Sequence, residues 1–314
     1  LNVDKNDIKS TIYEHEDFTS YNEKLDKIFK EYRDKNFLRF NKITPDTQPK
    51  TFIKLISEDL LERYSNRPLI IRYDVYQHLL DYWNETMKDD VYMLIEDGWV
   101  ARTRRILEKN KKGKETDKGW TCDLIPKELV IKRFLADLNE EVLKMETELE
   151  SIQSEITSYE EEHAGDEGLL SDATNDKGKI TKTTLNTFIK EIKKDPEEEE
   201  ALAYANEMLN LFNREAALKK EHKAKVKELD QATLKKFNKL SEDEVRSLVV
   251  DDKWLASLKD AIQTEVDAIS QRLTTRIKEL AERYENTLSE LDKQSKTLKD
   301  KVSDHLKKMG LVWS

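Results

Sequence analysis

A single cysteine, Cys122, is all that 314 residues contain, which excludes an intramolecular disulfide and any zinc site built from several thiolates. Glycine and proline are nearly as scarce, at seven and five residues. An α/β enzyme would carry about 7% glycine, much of it in turns and around phosphates, so a glycine-rich nucleotide cradle is not expected. No two prolines are adjacent and no two glycines form a G-x-G pattern. No apolar run approaches the roughly 18 residues of a membrane span, and the opening LNVDKNDIKS shows neither a leader pattern nor an initiator methionine. The expectation is a cytoplasmic, helix-rich piece of a longer chain.

What is abundant is charge. Charged residues make up 38% of the chain, with a net charge of −10, so a surface basic all over is excluded and any nucleic-acid contact needs a local patch. One exists in ARTRRILEKNKKGKETDK, residues 101 to 118, where eight Lys/Arg face three acids, whereas 139 to 167 carries eleven acids and one lysine. Arg102, Arg104, Arg105, Lys109, Lys111, Lys112 and Lys114 are the candidate contacts to DNA phosphates, with Trp99 and Trp120 at the flanks. A solvated charged loop is the bland alternative for the same residues.

The periodicity predicts a mainly α fold: a helical N-terminal domain over 1–126 with a small β-hairpin and a basic loop, then long helices over 127–314 forming a coiled coil or bundle. Residues 1 to 20 read as a loose arm. Leu25, Ile28, Phe29 and Tyr32 have helical spacing, as do Phe52, Ile56 and Leu60, and Val75, Leu79, Trp83 and Met87. VYMLI and WVARTRRIL around Asp97-Gly98 predict two short strands and a tight turn, because Asp-Gly supplies the positive φ that such hairpins need. From Leu138 the series Val142, Met145, Leu149, Ile152, Ile156, Tyr159 alternates four and three, a coiled-coil seam in a helix from about Lys127 to Gly165, on the order of 55 Å long. Asp195 and Pro196 open a helix that runs to about Leu240. Ser241 with Glu244, and Thr287 with Glu290, have the spacing of capping boxes, and Gly310 that of a helix stop. Between them Trp254, Leu258, Ile262, Val266, Ile269, Leu273, Ile277 and Leu280 form a stripe offered as a docking surface for a partner subunit.

No residue type here sits in a catalytic pattern. Asp251 and Asp252, in SLVVDDKWL, are read as a helix junction, because a carboxylate at a helix start satisfies orphan N–H groups for about 1 kcal/mol and no partner for acid/base work lies near in sequence. His15, His78, His163, His222 and His305 have no metal-ligand spacing. Cys122, in TCDLI, has no neighbouring base. Catalytic, cofactor-binding and metal-binding residues are therefore expected to be absent.

Three stretches, YDVYQHLLDYWNETMKDDVYMLIEDGW, NKKGKETDKGWTCDLIPKELVI and LSEDEVRSLVVDDKWL with the closing HLKKMGLVW, together resemble the C-terminal portion of the M subunit of type I restriction-modification systems. The resemblance runs from about residue 50 to the end. It implies a parent that is an N6-adenine DNA methyltransferase using S-adenosylmethionine, whose cofactor motif and Asn/Asp-Pro-Pro-aromatic motif are both missing from this sequence. It implies partners as well: the specificity subunit, the restriction subunit, and DNA enclosed by the assembled complex, with no membrane. A self-associating coiled-coil protein unrelated to DNA is the alternative.

Overall fold

The computed structural model describes residues 7–109, 113, 115–165, 168–175, 178–284 and 288–309. It is mainly α-helical, with one two-stranded antiparallel sheet among the described residues. The chain divides into two compact units, Leu1–Gly98 with Val250–Ser314, and Trp99–Val249. The boundary expected after residue 126 falls inside the second unit.

Among the described residues the first unit begins with α1 (Ile8–Glu14) and α2 (Glu16–Asn41), so the expected loose arm is helical from Ile8 onward. Ile8 is buried, and Tyr13 packs edge-on against Phe18 at 5.1 Å and donates to Asp267 Oδ1 at 3.1 Å. Long-range burial has overridden a polar composition there. After α3 (Pro49–Arg63) and α4 (Arg72–Tyr82), the rings of Tyr32, Phe40, Phe52 and Trp83 form a chain with 6.1 Å centroid steps. Burying such rings is the main favourable term in a core of this kind.

A π-helical turn, Trp83–Met87, leads straight into α5 (Lys88–Asp97), which occupies the segment where the first strand of a hairpin was expected. Met87, Val91 and Leu94 are all buried, a spacing of four and three that belongs to a helix. Gly98 does adopt the positive φ of 73° expected from Asp-Gly, but it uses it to stop α5, its N–H bonding to Leu94 O.

In the second unit the hairpin appears later, as β1 (Thr103–Lys109) and β2 (Glu115–Cys122), so part of the stretch expected as a polar loop is strand. Arg105 pairs with Trp120 and Leu107 with Asp117, which leaves Lys118 and Gly119 facing one residue as a bulge. Gly119, at φ +110°, supplies that bend. The helix expected from Lys127 is broken at Leu135 (φ −131°, ψ 29°) into α6 (Lys127–Phe134) and α7 (Ala136–His163).

Beyond α7, α8 (Lys182–Ile192) starts on a Thr181/Thr184 capping box, and α9 (Glu199–Phe237) follows a 3₁₀ turn at Pro196–Glu198. α7 and α9 pair antiparallel: Lys225 meets Glu141 at 2.8 Å, His222 meets Glu146 at 3.0 Å, and Gln153 donates to Glu215 at 3.1 Å. Val142, Ile152 and Ile156 of the expected seam are buried in that pairing, so it closes within the chain. At its far end Ile152 and Ile156 join Leu170, Leu185, Phe188 and Met208 in a small separate core.

The Ser241/Glu244 capping box forms and starts α10 (Glu242–Arg246). No junction follows. A π-helical segment, Ser247–Leu255, carries the chain on into α11 (Ala256–Arg283), so Asp251 and Asp252 lie inside a helical run and do not cap one. Asp251 is instead bound by Arg33 at 3.0 Å. The last element is α12 (Leu288–Lys308). Thr287 and Gly310, expected as cap and stop, lie outside the described residues.

Candidate functional site

The basic hairpin of the second unit is held at its base and exposed along its strands. Its bulge turns Trp120 inward to 3% exposure, where the indole Nε1 donates to Asp230 Oδ2 at 3.0 Å and the ring packs 5.2 Å from Phe237. Lys127 lies 3.8 Å above the same ring and bonds Asp230 Oδ1 at 2.9 Å. Partial burial pushes the Asp230 carboxyl up, but the bonds from Lys127 and Trp120 outweigh it and hold the group below its usual range. Trp99 is also buried, with Arg246 over its ring at 5.4 Å. Both tryptophans that flank the basic stretch are therefore built into the core of the second unit.

The cations divide into two groups. Arg104 grips Asp123 with two bonds of 2.8 and 2.9 Å, and this contact holds the Asp123 carboxyl below its ordinary range. Arg105 reaches Asp117 at 3.4 Å, and Lys118 faces Glu108 at 3.8 Å. These partners neutralise three of the eight cations of the patch locally. Lys109, at the exposed end of β1, has no ion-pair partner among the described residues. Lys111, Lys112 and Lys114 lie outside the described residues, and Arg102 is described but has a partner.

The expected docking stripe is split by the fold of the first unit. Trp254, Leu258, Ile262 and Val266 are each buried to 4% exposure or less, because α1 and α4 pack on α11. They are core, with Trp254 bonded to Asp90 of α5, while the contacts of α1 reach Asp267 and Leu273 further along, and they cannot be a docking face. Further along, the buried line changes to Ser270 and Thr274, while Ile269, Ile277 and Leu280 are half-buried and Leu273 is 46% exposed. Leu273 lines an apolar cleft of about 420 Å³ with Ile12, Phe18, Tyr21 and Leu69.

Leu69 was not anticipated. It has φ +69° and is 63% exposed, a left-handed backbone that costs a β-carbon-bearing residue about 1 kcal/mol or more. Its neighbours hold it there: Tyr21 donates to Pro68 O at 2.6 Å, and Ile70 N–H bonds the same carbonyl at 2.9 Å. Ile71 and Tyr73 are exposed beside it. The signal in the sequence was the run LII immediately after Pro68, apolar where a turn is usually polar.

A second unanticipated cluster is buried. Asp90 accepts from Lys253 Nζ at 2.8 Å and from Trp254 Nε1 at 2.8 Å, and Tyr82 donates to Lys253 O at 3.3 Å. Burial pushes the Asp90 carboxyl up, and Lys253 offsets only part of that. Each half follows from a π-helical segment, Trp83–Met87 just before Asp90 and Ser247–Leu255 around Lys253. One extra residue per turn rotates the side chains off the ordinary α register, which brings Lys253 and Trp254 together onto one carboxylate. With both charges buried and bonded to each other and to Trp254, the cluster reads as a structural lock.

Among the described residues no group of three or more His, Cys, Asp or Glu could hold a metal ion, and no helix is long and apolar enough to cross a membrane. The histidines are spread: His78 bonds Glu265 at 2.9 Å, His222 bonds Glu146, and His163 lies 4.2 Å from the Tyr204 ring. Comparison of the chain with protein-family models, with curated proteins and with solved structures finds no match.

Proposed function

We propose that this chain is the assembly and DNA-clamp region of a type I restriction-modification adenine methyltransferase subunit, docking the specificity subunit through its last helices. The observation that carries the docking is the apolar surface left uncovered there: Leu273 and its cleft on α11, Leu291, Leu298 and Val302 on α12, and Met309 just past its end, all exposed. Amphipathic helices in water need a partner for such a face. The family assignment rests on the three resembling sequence stretches. The methyl donor S-adenosylmethionine would be held by other parts of the parent, and a restriction subunit and DNA would join in the cytoplasm. A self-associating coiled coil is less well supported, since the α7 seam already closes on α9.

Substituting Ile269 and Leu273 together by aspartate tests the docking. Leu273 is exposed and Ile269 half-buried in the free chain, so the helix should form, and unchanged circular dichroism is the control for folding. Co-purification with the specificity subunit should be lost, because a carboxylate buried at an interface without a partner costs several kcal/mol, roughly 3 or more. Capture at full stoichiometry by a folded variant would sink the proposal.

For DNA the expectation differs between the two groups of cations. Changing Lys109, Lys111, Lys112 and Lys114 to glutamine should weaken binding by the assembled complex to all sequences alike. The slope of log affinity against log salt should flatten by about 0.9 for each lost phosphate contact. Changing Arg104 and Arg105, already tied to Asp123 and Asp117, should flatten it less. Equal and negligible effects would return the hairpin to an ordinary solvated surface.

A further inference from the structure

The uncovered stripe of α12 has a register that its exposed side chains define. Leu291 and Leu298 are seven apart, Val302 follows at four, and Met309 at seven again, the a and d spacing of a coiled-coil heptad with Ser295 and His305 as its polar layers. The positions that flank this seam are Asp292, Gln294, Lys299, Lys301, Leu306 and Lys308. Three are lysines and one is an acid. The other acids of the helix, Glu290, Asp300 and Asp304, fall on the outer face away from the seam. Lys299, Lys301 and Lys308 are exposed, with no ion-pair partner among the described residues.

We infer that α12 takes as its partner a separate amphipathic helix whose seam is bordered by Glu and Asp. The inference rests on the docking proposed above and adds the chemistry of the occupant. Flanking charges set partner choice and orientation in coiled coils, and they argue against a second copy of α12. An antiparallel copy that stacks Leu298 on Val302 brings Lys299 against Lys299 and Lys301 against Lys301. A parallel copy stacks His305 on His305 and makes no attractive pair at the flanks. Folding back onto α11 in the register that aligns Leu298 with Leu273 would set Lys299 beside Arg272. An anionic lipid surface fits the charge, but interfacial helices present a broad apolar face, and this stripe is two residues per heptad.

The test uses the full chain and two synthetic 21-residue helical peptides with leucine at every a and d position, one with glutamate and one with lysine at the flanks. Fluorescence anisotropy should show the glutamate peptide binding about ten-fold tighter or more, as three exposed charge pairs can supply. That preference should shrink with salt. The triple variant Lys299→Glu, Lys301→Glu, Lys308→Glu should invert it, and Leu298→Asp with Val302→Asp should abolish binding of both peptides. All five positions are exposed, so these variants should keep the wild-type dichroism. Equal affinity for the two peptides, binding of neither, self-association lost on Leu298→Asp, or binding only to phosphatidylglycerol vesicles would each overturn the inference. Failure here with specificity-subunit capture still sensitive to Ile269 and Leu273 leaves the docking proposal standing. The reverse pattern overturns that proposal and leaves the charge preference of α12 intact.

Discussion

Replacing Asp90 by alanine is expected to cost the first unit about 4 kcal/mol, the scale for orphaning one member of a buried ion pair. Asp90 and Lys253 are both buried, with side chains 3% and 10% exposed, and their closest approach is 2.7 Å. The variant removes the carboxylate that accepts from both the buried Lys253 ammonium and Trp254 Nε1. Chemical denaturation should show the loss as a fall in midpoint without a change in slope. The pair itself is not expected to be a net stabiliser, because Asp90 is pushed up in spite of Lys253: desolvation exceeds the attraction. A double change to Asp90→Leu and Lys253→Met should therefore cost far less than Asp90→Ala alone. Lys253→Met alone removes the contact that lowers the carboxyl and raises it further. A carboxyl raised in the folded state favours the protonated form there, so this variant should be most stable in acid. It should lose stability as pH rises from the ordinary carboxylate range through the raised value. A Lys253→Met variant with flat stability between acid and neutral pH would contradict this account.

That lock was illegible in the sequence for a definite reason. A π-helical turn has no residue signature, and VVDDKW read on the α period looks like a break, with β-branched residues and two aspartates where a helix should start. The same ambiguity misplaced the hairpin. Asp97-Gly98 supplies a positive φ that serves a tight turn or a helix stop equally well, and only the burial of Val91 and Leu94 decides for the stop. The true strands carry seven charged residues among their fifteen and lack a regular alternation of apolar and polar positions. They are recognisable only through Trp120, whose partners Lys127, Asp230 and Phe237 lie up to 117 residues away in sequence. Where local chemistry was sufficient, sequence and structure agree: the Ser241/Glu244 box and the α7 seam are set by neighbours within one or two turns, whereas the helix start expected at Asp195 and Pro196 is a 3₁₀ turn and α9 begins at Glu199. The docking stripe was half legible. Its period is local, but which half is covered depends on α1 and α4, more than 150 residues earlier.

Substituting Ile152 by aspartate should open the arm formed by α7 and α9 while sparing the first unit. Ile152 is 1% exposed and belongs to the separate core with Leu170, Leu185, Phe188 and Met208. A carboxylate placed there has no partner and should cost about 4 kcal/mol, more than a small core of this kind can spare. Ile152→Val, which removes only one methylene, should cost about 1 kcal/mol and leave the arm closed. Circular dichroism should show helix lost from α7, α8 and α9, and limited proteolysis should cut within 136–237 before it cuts 16–97. The surface pairs between Glu141 and Lys225 and between Glu146 and His222 will not hold the arm alone, since exposed ion pairs contribute about 0–1 kcal/mol each. This variant also separates two roles for the seam. If Ile152 serves only the arm, the aspartate variant should still capture the specificity subunit through α11 and α12. A variant that keeps its full helicity yet loses that capture would mean that the α7 seam opens to receive a partner, and the docking surface would have to be reassigned from the last two helices to the arm.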